Sequence, residues 1–408
     1  MKILFVSQHY RPEPFRLSDI CEDLVERGHE VTVLTGIPNY PEGKIYADYR
    51  NKQNRRETIE GVTVFRSYTI PRGKSTLHRI LNYFSFAISS SIGVLLGQYK
   101  AKDGSEFDCV FVNQSSPVMM AWAGMAYKNK YKKPLFLYCM DVWPDSLTVG
   151  GVKPDSLIFK LFKFISKKVY RASDYIFVTS PSFKSHFVKQ FDISEQKITY
   201  LPQYAEDLFI PDESIVNKES VDLTFAGNIG KAQNLETILK AASLIEKNTD
   251  LPKKIHFHFV GDGTELLSMK ALAHELELKN VSFYGRRSLE EMPTFYKKSD
   301  AMLVSLIGGS IVSRTIPGKV QSYMAAGKPI IGAISGDTKT IVEEANCGYV
   351  SSEQDVEQLA QNICEFSMLS IEEQKELGKQ ARSYYEKHFS KEQFMTQLEK
   401  YLREEFSS

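Results

Sequence analysis

Short runs of β-branched and aromatic residues alternate along this chain with longer stretches of helical periodicity. Such alternation is typical of βαβ units that wind into a parallel sheet. It predicts a first series of strands near residues 2–7, 31–35, 62–66, 108–112, 134–139, 174–179 and 197–201. A second series begins afresh near residues 222–226, 255–260, 280–284, 300–305, 328–332 and 348–350. The pattern therefore predicts an α/β fold with two Rossmann-like domains.

The polar stretch 206–220 separates the two series, carries Pro211 and has no sustained periodicity, as expected of a linker. A length of 408 residues also favours more than one domain. We therefore expect an N-terminal domain over 1–205 and a C-terminal domain over 206–387, facing each other across a cleft. The end of the chain is helical and charged, and a helix at about 388–408 is expected to cross back to the first domain.

Charge and cysteine content restrict the classes of function that the chain can have. The 51 Lys and Arg side chains nearly balance the 50 Asp and Glu side chains, so no global field favours nucleic acid. The five cysteines are scattered without a C-x-x-C spacing, which argues against a disulfide framework or a zinc site and favours a reducing compartment. The apolar run that begins the sequence is too short for a signal peptide. We therefore expect a cytoplasmic protein.

Ligands of open α/β sheets bind beyond the carboxyl ends of the strands, so the loops that follow the strands are the candidate sites. In the second domain the loop 227–234 has two glycines that allow close backbone approach to a phosphate, and the loop 261–264 repeats the pattern. Each loop is equally compatible with a tight turn that needs glycine for geometry alone. The phosphate-binding candidates are Gly227, Asn228, Gly230, Lys231, Gln233, Gly261 and Gly263.

Three charged residues are candidates for catalysis. Arg314 and Lys319 lie just before a predicted helix at 320–326, where fixed positive charges would stabilise a departing diphosphate; a solvated Arg and Lys is the plainer alternative. Asp141 follows the predicted strand 134–139. The alternative role for this residue is to stabilise a turn or cap a helix. The sequence contains no D-x-D and no G-x-x-x-x-G-K-[ST] motif, which disfavours a metal-bound nucleotide sugar and the common ATPase loop.

Several motifs run through nearly the whole chain. They are Tyr10-Arg11-Pro12-Glu13-Pro14, Arg27-Gly28-His29-Glu30-Val31-Thr32-Val33-Leu34-Thr35, Pro38-Asn39-Tyr40-Pro41, Asp141-Val142-Trp143-Pro144, Gly227-Asn228-Ile229-Gly230, Val260-Gly261-Asp262-Gly263 and Tyr323-Met324-Ala325-Ala326-Gly327-Lys328-Pro329-Ile330. Together they resemble glycosyltransferase family 4, and within it the capsule and O-antigen branch that includes N-acetyl-L-fucosamine transferases.

The resemblance implies a GT-B fold and retaining transfer of a sugar from a UDP-linked donor, without a metal or other cofactor. It implies that the second domain holds the donor, through the phosphate-binding candidates together with Gly285, Arg286 and Ser322. The acceptor, a saccharide linked to a membrane lipid, would lie on the first domain. Its expected contacts are Tyr10, Arg11, Glu13, Asn39 and Tyr40.

The chain departs from the family pattern at four positions. Many members carry two glutamates eight positions apart that contact the donor, and by spacing these positions are Arg314 and Ser322. The family's frequent Arg and Lys after the first strand of the second domain fall on Asn228 and Gln233. Neutralisation of the diphosphate is therefore expected from Lys231, Arg314 and Lys319.

Two segments have the composition of interfacial helices. Residues 80–97 hold no charge and follow a basic flank, and residues 157–171 combine aromatic residues with five cations at helical spacing. The alternative is that each helix simply packs on the sheet. A lipid-linked acceptor favours contact with an anionic membrane, which predicts a peripheral protein on the inner face of the cell membrane.

Two other functions stay open. A nucleotide-sugar epimerase of GT-B architecture would need two acid–base groups flanking one sugar carbon, and no such pair is evident in the sequence. A partner subunit that binds a donor without catalysis would be compatible with the missing glutamates.

Overall fold

The computed structural model describes residues 1–15, 17–73, 75–148, 150–212, 219–248, 251–309 and 314–407. The chain forms two compact units, one of Met1–Leu201 with Met395–Ser408 and the other of Pro202–Phe394. The divisions fall at Leu201 and Phe394, against 205 and 387 expected from the sequence. Each unit is an α/β layer structure with its own sheet and core.

The first unit is built on an eight-stranded sheet in the order β3-β4-β2-β1-β5-β6-β7-β8. All neighbouring strands are parallel except β3, which pairs antiparallel with β4. The central strands are buried along their whole length because helices cover both faces of the sheet. The strands are β1 Lys2–Val6, β2 Glu30–Thr35, β3 Arg56–Ile59, β4 Val62–Arg66, β5 Cys109–Gln114, β6 Leu135–Cys139, β7 Tyr175–Val178 and β8 Ile198–Tyr200.

Five helices follow these strands along the chain. They are α1 Leu17–Glu26, α2 Thr76–Leu95, α3 Trp122–Tyr131, α4 Leu157–Ala172 and α5 Pro181–Phe191. Ser75 and Ser156 begin α2 and α4, and each side chain accepts a hydrogen bond from the backbone N–H three residues on. Among the described residues, no helix combines the length and the apolar character needed to cross a membrane.

The second unit is built on a six-stranded parallel sheet in the order β11-β10-β9-β12-β13-β14. Its strands are β9 Ser220–Ala226, β10 Lys254–Val260, β11 Val281–Gly285, β12 Ala301–Ser305, β13 Ile330–Ala333 and β14 Gly348–Ser351. Its helices are α6 Leu235–Glu246, α7 Leu266–Glu275, α8 Met292–Lys298, α9 Gly318–Ala325, α10 Gly336–Glu344, α11 Val356–Met368 and α12 Ile371–His388. Phe225, Phe257 and Phe259 pack with α6 and α11 in the core of this unit.

The last helix, α13 Lys391–Ser407, returns to the first unit as expected. Met395, Leu398 and Leu402 are fully buried, and the ring of Tyr401 contacts that of Phe177 at 5.5 Å. The carboxylate of Glu399 binds His29 at 2.8 Å and Arg27 at 3.2 Å. The first unit is therefore completed by residues that are far from it in the sequence.

The strand order of each sheet reverses at one point. In the first sheet the strands after β1 are added on one side of it and the strands after β5 on the opposite side, so the reversal lies between β1 and β5. In the second sheet the reversal lies between β9 and β12. Loops diverge at such switch points and leave a crevice beyond the carboxyl ends of the two strands. The loops after β1 and β5, and after β9 and β12, are therefore the places where ligands are expected.

Candidate active site

Lys319 is the most unusual residue at the switch point of the second unit. It lies in the first turn of α9, and its ammonium stands 3.4 Å from the ring centroid of Phe225, at the end of β9. The Nζ atom is buried and has no hydrogen-bond partner among the described residues. Burial lowers the pKa of Lys319 well below its usual range. A cation that is held against a ring and has no partner among the described residues is suited to an incoming anion.

The loop after β9 leaves space at this ammonium. Gly227 has a φ of 133°, and a side chain there would start 3.2 Å from Lys319 Nζ. The amides of Gly227 and Ile229 donate to the carbonyls of Val260 and Asp262. These two N–H groups are therefore already used, and Asn228 and Lys231 are the exposed side chains that the loop offers a ligand.

The glycines of the second loop have a structural reason. A Cβ on Gly261 would lie 1.8 Å from the carbonyl oxygen of Gly227, and one on Gly263 would lie 2.3 Å from that of Ile229. Gly261 also has a φ of 149°, which side chains rarely adopt. The loop 261–263 therefore packs directly on the loop 227–229, and these glycines are required by backbone contact whether or not a ligand is bound.

The remaining predicted donor residues are dispersed around the carboxyl edge. Arg314 is exposed, and Arg286 is exposed after Gly285 at the end of the edge strand β11. The backbone carbonyl of Gln233 accepts the Ser305 hydroxyl. Ser322 is buried within α9, where its hydroxyl donates to the carbonyl of Gly318 at 3.2 Å. Of the predicted set, the structure places Lys319 next to Gly227, and Gly261 and Gly263 pack on the same loop.

Asp141 lies in the first unit, directly after β6. The indole Nε1 of Trp143 donates to its carboxylate at 3.0 Å and to the hydroxyl of Ser116, after β5, at 3.1 Å. Burial raises the pKa of Asp141, against hydrogen bonds from Trp143, Ser146 and Ser116 that lower it. A carboxyl group with a raised pKa next to a switch-point loop can act as an acid or a base.

Two predicted acceptor contacts have other roles in the structure. Tyr10 is fully buried in the core, where a ligand cannot contact its ring, and burial raises the pKa of its hydroxyl. The Arg11 guanidinium forms a bidentate pair with Glu22, at 2.5 and 2.9 Å. Tyr10 and Arg11 are consecutive in the loop, and their side chains point in different directions. One therefore lies in the core and the other forms an ion pair.

The other three expected acceptor residues form one hydrogen-bonded cluster. Glu13 is buried, and its Oε1 accepts the backbone N–H groups of Asn39 at 2.8 Å and Tyr40 at 2.7 Å. Its Oε2 lies 2.9 Å from Nδ1 of His9, a residue absent from the sequence-based candidates. The spacing of His9 and Glu13, four residues apart just after a strand, is the signal that could have found the pair.

An apolar surface extends over two helices of the first unit. Along α4, Leu157, Ile158, Leu161 and Phe164 are all more than half exposed. On α2 and just beyond it the exposed side chains are Ile80, Leu81, Ile88, Ile92, Leu95 and Leu96. Both helices contact the short turn Val118–Ala121, so the two helices lie on the same face of the sheet. Lys160 and Lys168 are exposed beside the α4 stripe.

A family model described as Glycosyltransferase Family 4 matches residues 16–203, and one described as Glycosyl transferases group 1 matches residues 208–384. The two models together span nearly all of both units. This chain belongs to glycosyltransferase family 4. It is an enzyme of that family, in agreement with the resemblance carried by its motifs.

Two bacterial proteins are similar to this family 4 glycosyltransferase. The putative colanic acid biosynthesis glycosyl transferase WcaI of Escherichia coli (strain K12) is 26% identical over 354 residues, covering 80% of this chain and 82% of that protein. The probable glycosyltransferase WbjE of Pseudomonas aeruginosa is 26% identical over 269 residues, covering 62% and 65%.

Solved structures of glycosyltransferases share the fold of the family 4 chain. HepE of Anabaena, crystallised with UDP and glucose, has a TM-score of 0.69 at 15% identity and covers 99% of this chain and 100% of that one. Sucrose-phosphate synthase of Thermosynechococcus elongatus has a TM-score of 0.72 at 16% identity, with 99% of each chain covered. These likenesses confirm the predicted GT-B fold.

Within this family 4 enzyme, one carboxylate occupies the carboxyl edge of the second sheet near β12. Glu353 follows β14, accepts the hydroxyl of Ser335, and has its Oε1 3.1 Å from where a side chain on Gly308 would begin. The side chain thus reaches back from the edge strand towards the loop after β12. Sequence spacing could not reveal it because Glu353 and Gly308 are far apart in the sequence and come together only in the folded unit.

Proposed function

We propose that this enzyme transfers a sugar from a UDP-linked donor to a saccharide linked to a membrane lipid, with retention at the anomeric carbon and without a metal. The product would belong to a capsule, O-antigen or exopolysaccharide, and the sugar could be N-acetyl-fucosamine or a related amino sugar. The observation that carries the proposal is the buried ammonium of Lys319 at the switch point of the second sheet, which has no hydrogen-bond partner in the part of the chain that the structure describes.

Lys319 has the properties required of a group that stabilises a leaving diphosphate. Negative charge grows on the diphosphate as the bond to the anomeric carbon breaks, and a fixed cation lowers the barrier without having to reorganise. In a site shielded from water this attraction is stronger than at an exposed surface. Because Gly227 and Ile229 already use their amides, we assign the charge of the diphosphate to Lys319. Arg314, five residues before Lys319, and Lys231, four residues after Gly227, are further exposed cations.

The relatives support the choice of donor and product. HepE is named in complex with UDP and glucose, and WcaI is named for colanic acid biosynthesis. Glu353 supports the same reaction from the structure, because a carboxylate at this edge can accept hydrogen bonds from sugar hydroxyls. It would supply the acidic contact that Arg314 and Ser322 lack.

The membrane part of the proposal rests on the helices α2 and α4. Both helices lie on one face of the sheet and carry exposed apolar side chains. Lysines flank those of α4, as in helices that lie in the interface of an anionic bilayer. An acceptor with a lipid anchor is confined to that interface, so the first unit would meet it there.

The test combines binding with turnover. A thermal-shift panel of nucleotide sugars selects the donor, since a ligand at about 100 times its Kd stabilises by about 2.7 kcal/mol. Transfer of that sugar to a lipid-linked acceptor is then measured for wild type, Lys319→Ala, Arg314→Ala and the exposed control Lys270→Ala. We expect Lys319→Ala and Arg314→Ala to cost about 2–4 kcal/mol of transition-state stabilisation and the control to match wild type.

Three results would each overturn the proposal. Wild-type turnover in both the Lys319 and Arg314 variants would remove the assigned diphosphate contacts. Binding of a nucleotide sugar without transfer to any lipid-linked acceptor would favour a donor-binding partner subunit, and isomerisation of the sugar would favour the epimerase.

A further inference from the structure

The strands β9 and β12 separate at the switch point of the second sheet, and Ala226 lies where they part. The last pair in the register of the two strands is Thr224 with Met302. Ala226 is two residues beyond Thr224, so its backbone groups point to the same side of β9, towards β12. Because Ala226 is buried, its N–H and C=O groups need partners, and β12 has already diverged from them.

The hydroxyl of Tyr323 supplies both partners. It accepts the N–H of Ala226 at 3.0 Å and donates to the carbonyl of the same residue at 3.1 Å. Tyr323 lies in α9 and is fully buried, and the single proton of its hydroxyl is used in the second of these bonds. The two hydrogen bonds therefore tie one point of α9 to the end of β9.

Lys319 lies one helical turn before Tyr323, on the same side of α9. Its ammonium is 3.4 Å from the ring centroid of Phe225 and 3.2 Å from where a side chain on Gly227 would begin. Phe225 and Gly227 are the two chain neighbours of Ala226, the residue that Tyr323 binds. A shift of α9 relative to β9 would therefore move the ammonium away from both.

We propose that Tyr323 is the positioning residue of Lys319, and that its hydroxyl, by binding Ala226, holds the ammonium where the diphosphate of the donor is met. The inference rests on the proposed function. Tyr323 is fully buried and its hydroxyl is committed to Ala226, so it acts through the place of the ammonium. Misplacing a group at a reacting centre by about 1 Å can lower the rate by about 10²-fold, so the loss of one hydroxyl should affect transfer.

Tyr127 of the first unit offers a matched control. Its hydroxyl accepts the N–H of Phe107 at 2.6 Å and donates to the carbonyl of the same residue at 3.3 Å, and its side chain is 1% exposed. Tyr323→Phe and Tyr127→Phe thus remove the same atom from the same arrangement. Each leaves two backbone groups without their partner, so we expect each to lower the melting temperature by about 4–8 °C.

The first measurement is the binding of UDP to the full chain, by calorimetry. We expect Tyr323→Phe to weaken binding by about tenfold, on the scale of a hydrogen bond to a charged group, and Tyr127→Phe to bind as wild type does. In the background of Lys319→Ala, Tyr323→Phe should weaken binding no further, because a residue that acts through Lys319 then has nothing to position. Additive losses in this double variant would overturn the proposal.

A conservative replacement tests for rescue. Tyr323→4-aminophenylalanine keeps a donor for the carbonyl of Ala226 but accepts its N–H poorly, so we expect UDP affinity between those of Tyr323→Phe and wild type. Should Tyr323→Phe fail to fold, this variant carries the test, and wild-type affinity in it would overturn the positioning role.

The second measurement is sugar transfer by the same variants. We expect kcat/KM to fall by about 10–10²-fold in Tyr323→Phe and to stay at the wild-type value in Tyr127→Phe. Wild-type UDP affinity and transfer in Tyr323→Phe, with both lost in Lys319→Ala, would overturn the role of Tyr323 and leave the proposed function standing. Binding of UDP by wild type without transfer would overturn the proposed function, while the binding series would still decide for or against Tyr323. Absence of UDP binding by wild type would overturn both.

Discussion

The burial of a single residue, Lys319, lowers the stability of the fold. Its ammonium is buried beside Phe225 and unpaired among the described residues. Desolvation favours the neutral amine, so the pKa of Lys319 is lowered from 10.5. Between the lowered pKa and 10.5 the folded chain binds fewer protons than the unfolded chain. Stability therefore rises with pH across that interval, and the cost of burying the charge is complete below it.

The substitution Lys319→Met should therefore stabilise the fold while abolishing the diphosphate contact. At pH 7 we expect the melting temperature to rise by about 2–4 °C, the shift that accompanies about 1 kcal/mol in a domain of this size. The difference from wild type should shrink as pH approaches 10.5, which calorimetry from pH 7 to 10.5 would follow. A variant that melts below wild type at pH 7 would contradict the burial cost.

The sequence predicts some residues of the site and not others, for physical reasons. Lys319 was predicted because cations before a helix are visible in the sequence. The burial of its ammonium was not, since that depends on Phe225 from another strand. Tyr10 was expected at the acceptor and lies in the core. His9 was missed because its significance comes from Glu13 and Tyr40, which reach it only in the folded loop.

At the scale of elements, the alternation of apolar runs predicted each buried strand of the parallel sheets. The strand that it missed is β3 Arg56–Ile59. This strand is antiparallel, four residues long and at the edge of its sheet, with exposed and half-exposed side chains in alternation. A buried strand can be recognised in the sequence as a run of apolar residues. The edge strand β3 is polar and forms because it pairs with β4, so the sequence carries no such run.

Arg66, at the end of β4, joins this hairpin to the loop after β1. Its side chain is 1% exposed, pairs with Glu57 at 2.6 Å and donates to the carbonyl of Arg11 at 2.5 Å. Arg66→Met would leave Glu57 without its charge partner, so we expect a loss of about 3 kcal/mol in the free energy of unfolding. Denaturant unfolding measures it.

The exposed pair of Arg171 and Asp192 supplies the control, with side chains 51% and 80% exposed. Arg171→Met should cost no more than about 1 kcal/mol, as surface ion pairs do. Equal losses in the two variants would show that burial adds nothing to the pair at Arg66.

The helix α4 should bind anionic vesicles through its lysines and its apolar stripe. Each lysine near an anionic surface contributes about 1 kcal/mol, so Lys160→Glu with Lys168→Glu should weaken binding about thirtyfold or more. Binding of wild type should also weaken with salt, because the attraction is screened within a Debye length. Co-sedimentation with vesicles rich in anionic lipid measures both effects.

Two further variants make that experiment interpretable. Lys375→Glu with Lys379→Glu changes the net charge equally on α12 of the second unit and should sediment as wild type does. Replacing Leu157, Leu161 and Phe164 by Ser tests the apolar part alone. Equal sedimentation of all variants, or of wild type with and without vesicles, would show that α4 is an ordinary surface helix.

For the complete enzyme, transfer without a metal remains a prediction, and it rests on Lys319, whose ammonium can take the place of a metal ion beside the diphosphate. The described residues contain no group of three or more His, Cys, Asp and Glu placed to hold a metal ion, and Lys319 offers a fixed positive charge for the diphosphate. We expect transfer to continue at an unchanged rate in excess EDTA. Loss of activity that magnesium or manganese restores would contradict this prediction.

The return of α13 has a consequence for the order of events during synthesis. Domains are generally expected to fold as they emerge, at about 5–20 residues per second. Leu201 completes the sheet of the first unit, but Met395, Leu398 and Leu402 of its core are added roughly 190 residues later. For roughly 10–40 s the nascent first unit must therefore persist with an open apolar groove while the whole second unit is being made. A pause or a premature stop in that interval would leave the groove uncovered, so chaperone demand should peak there.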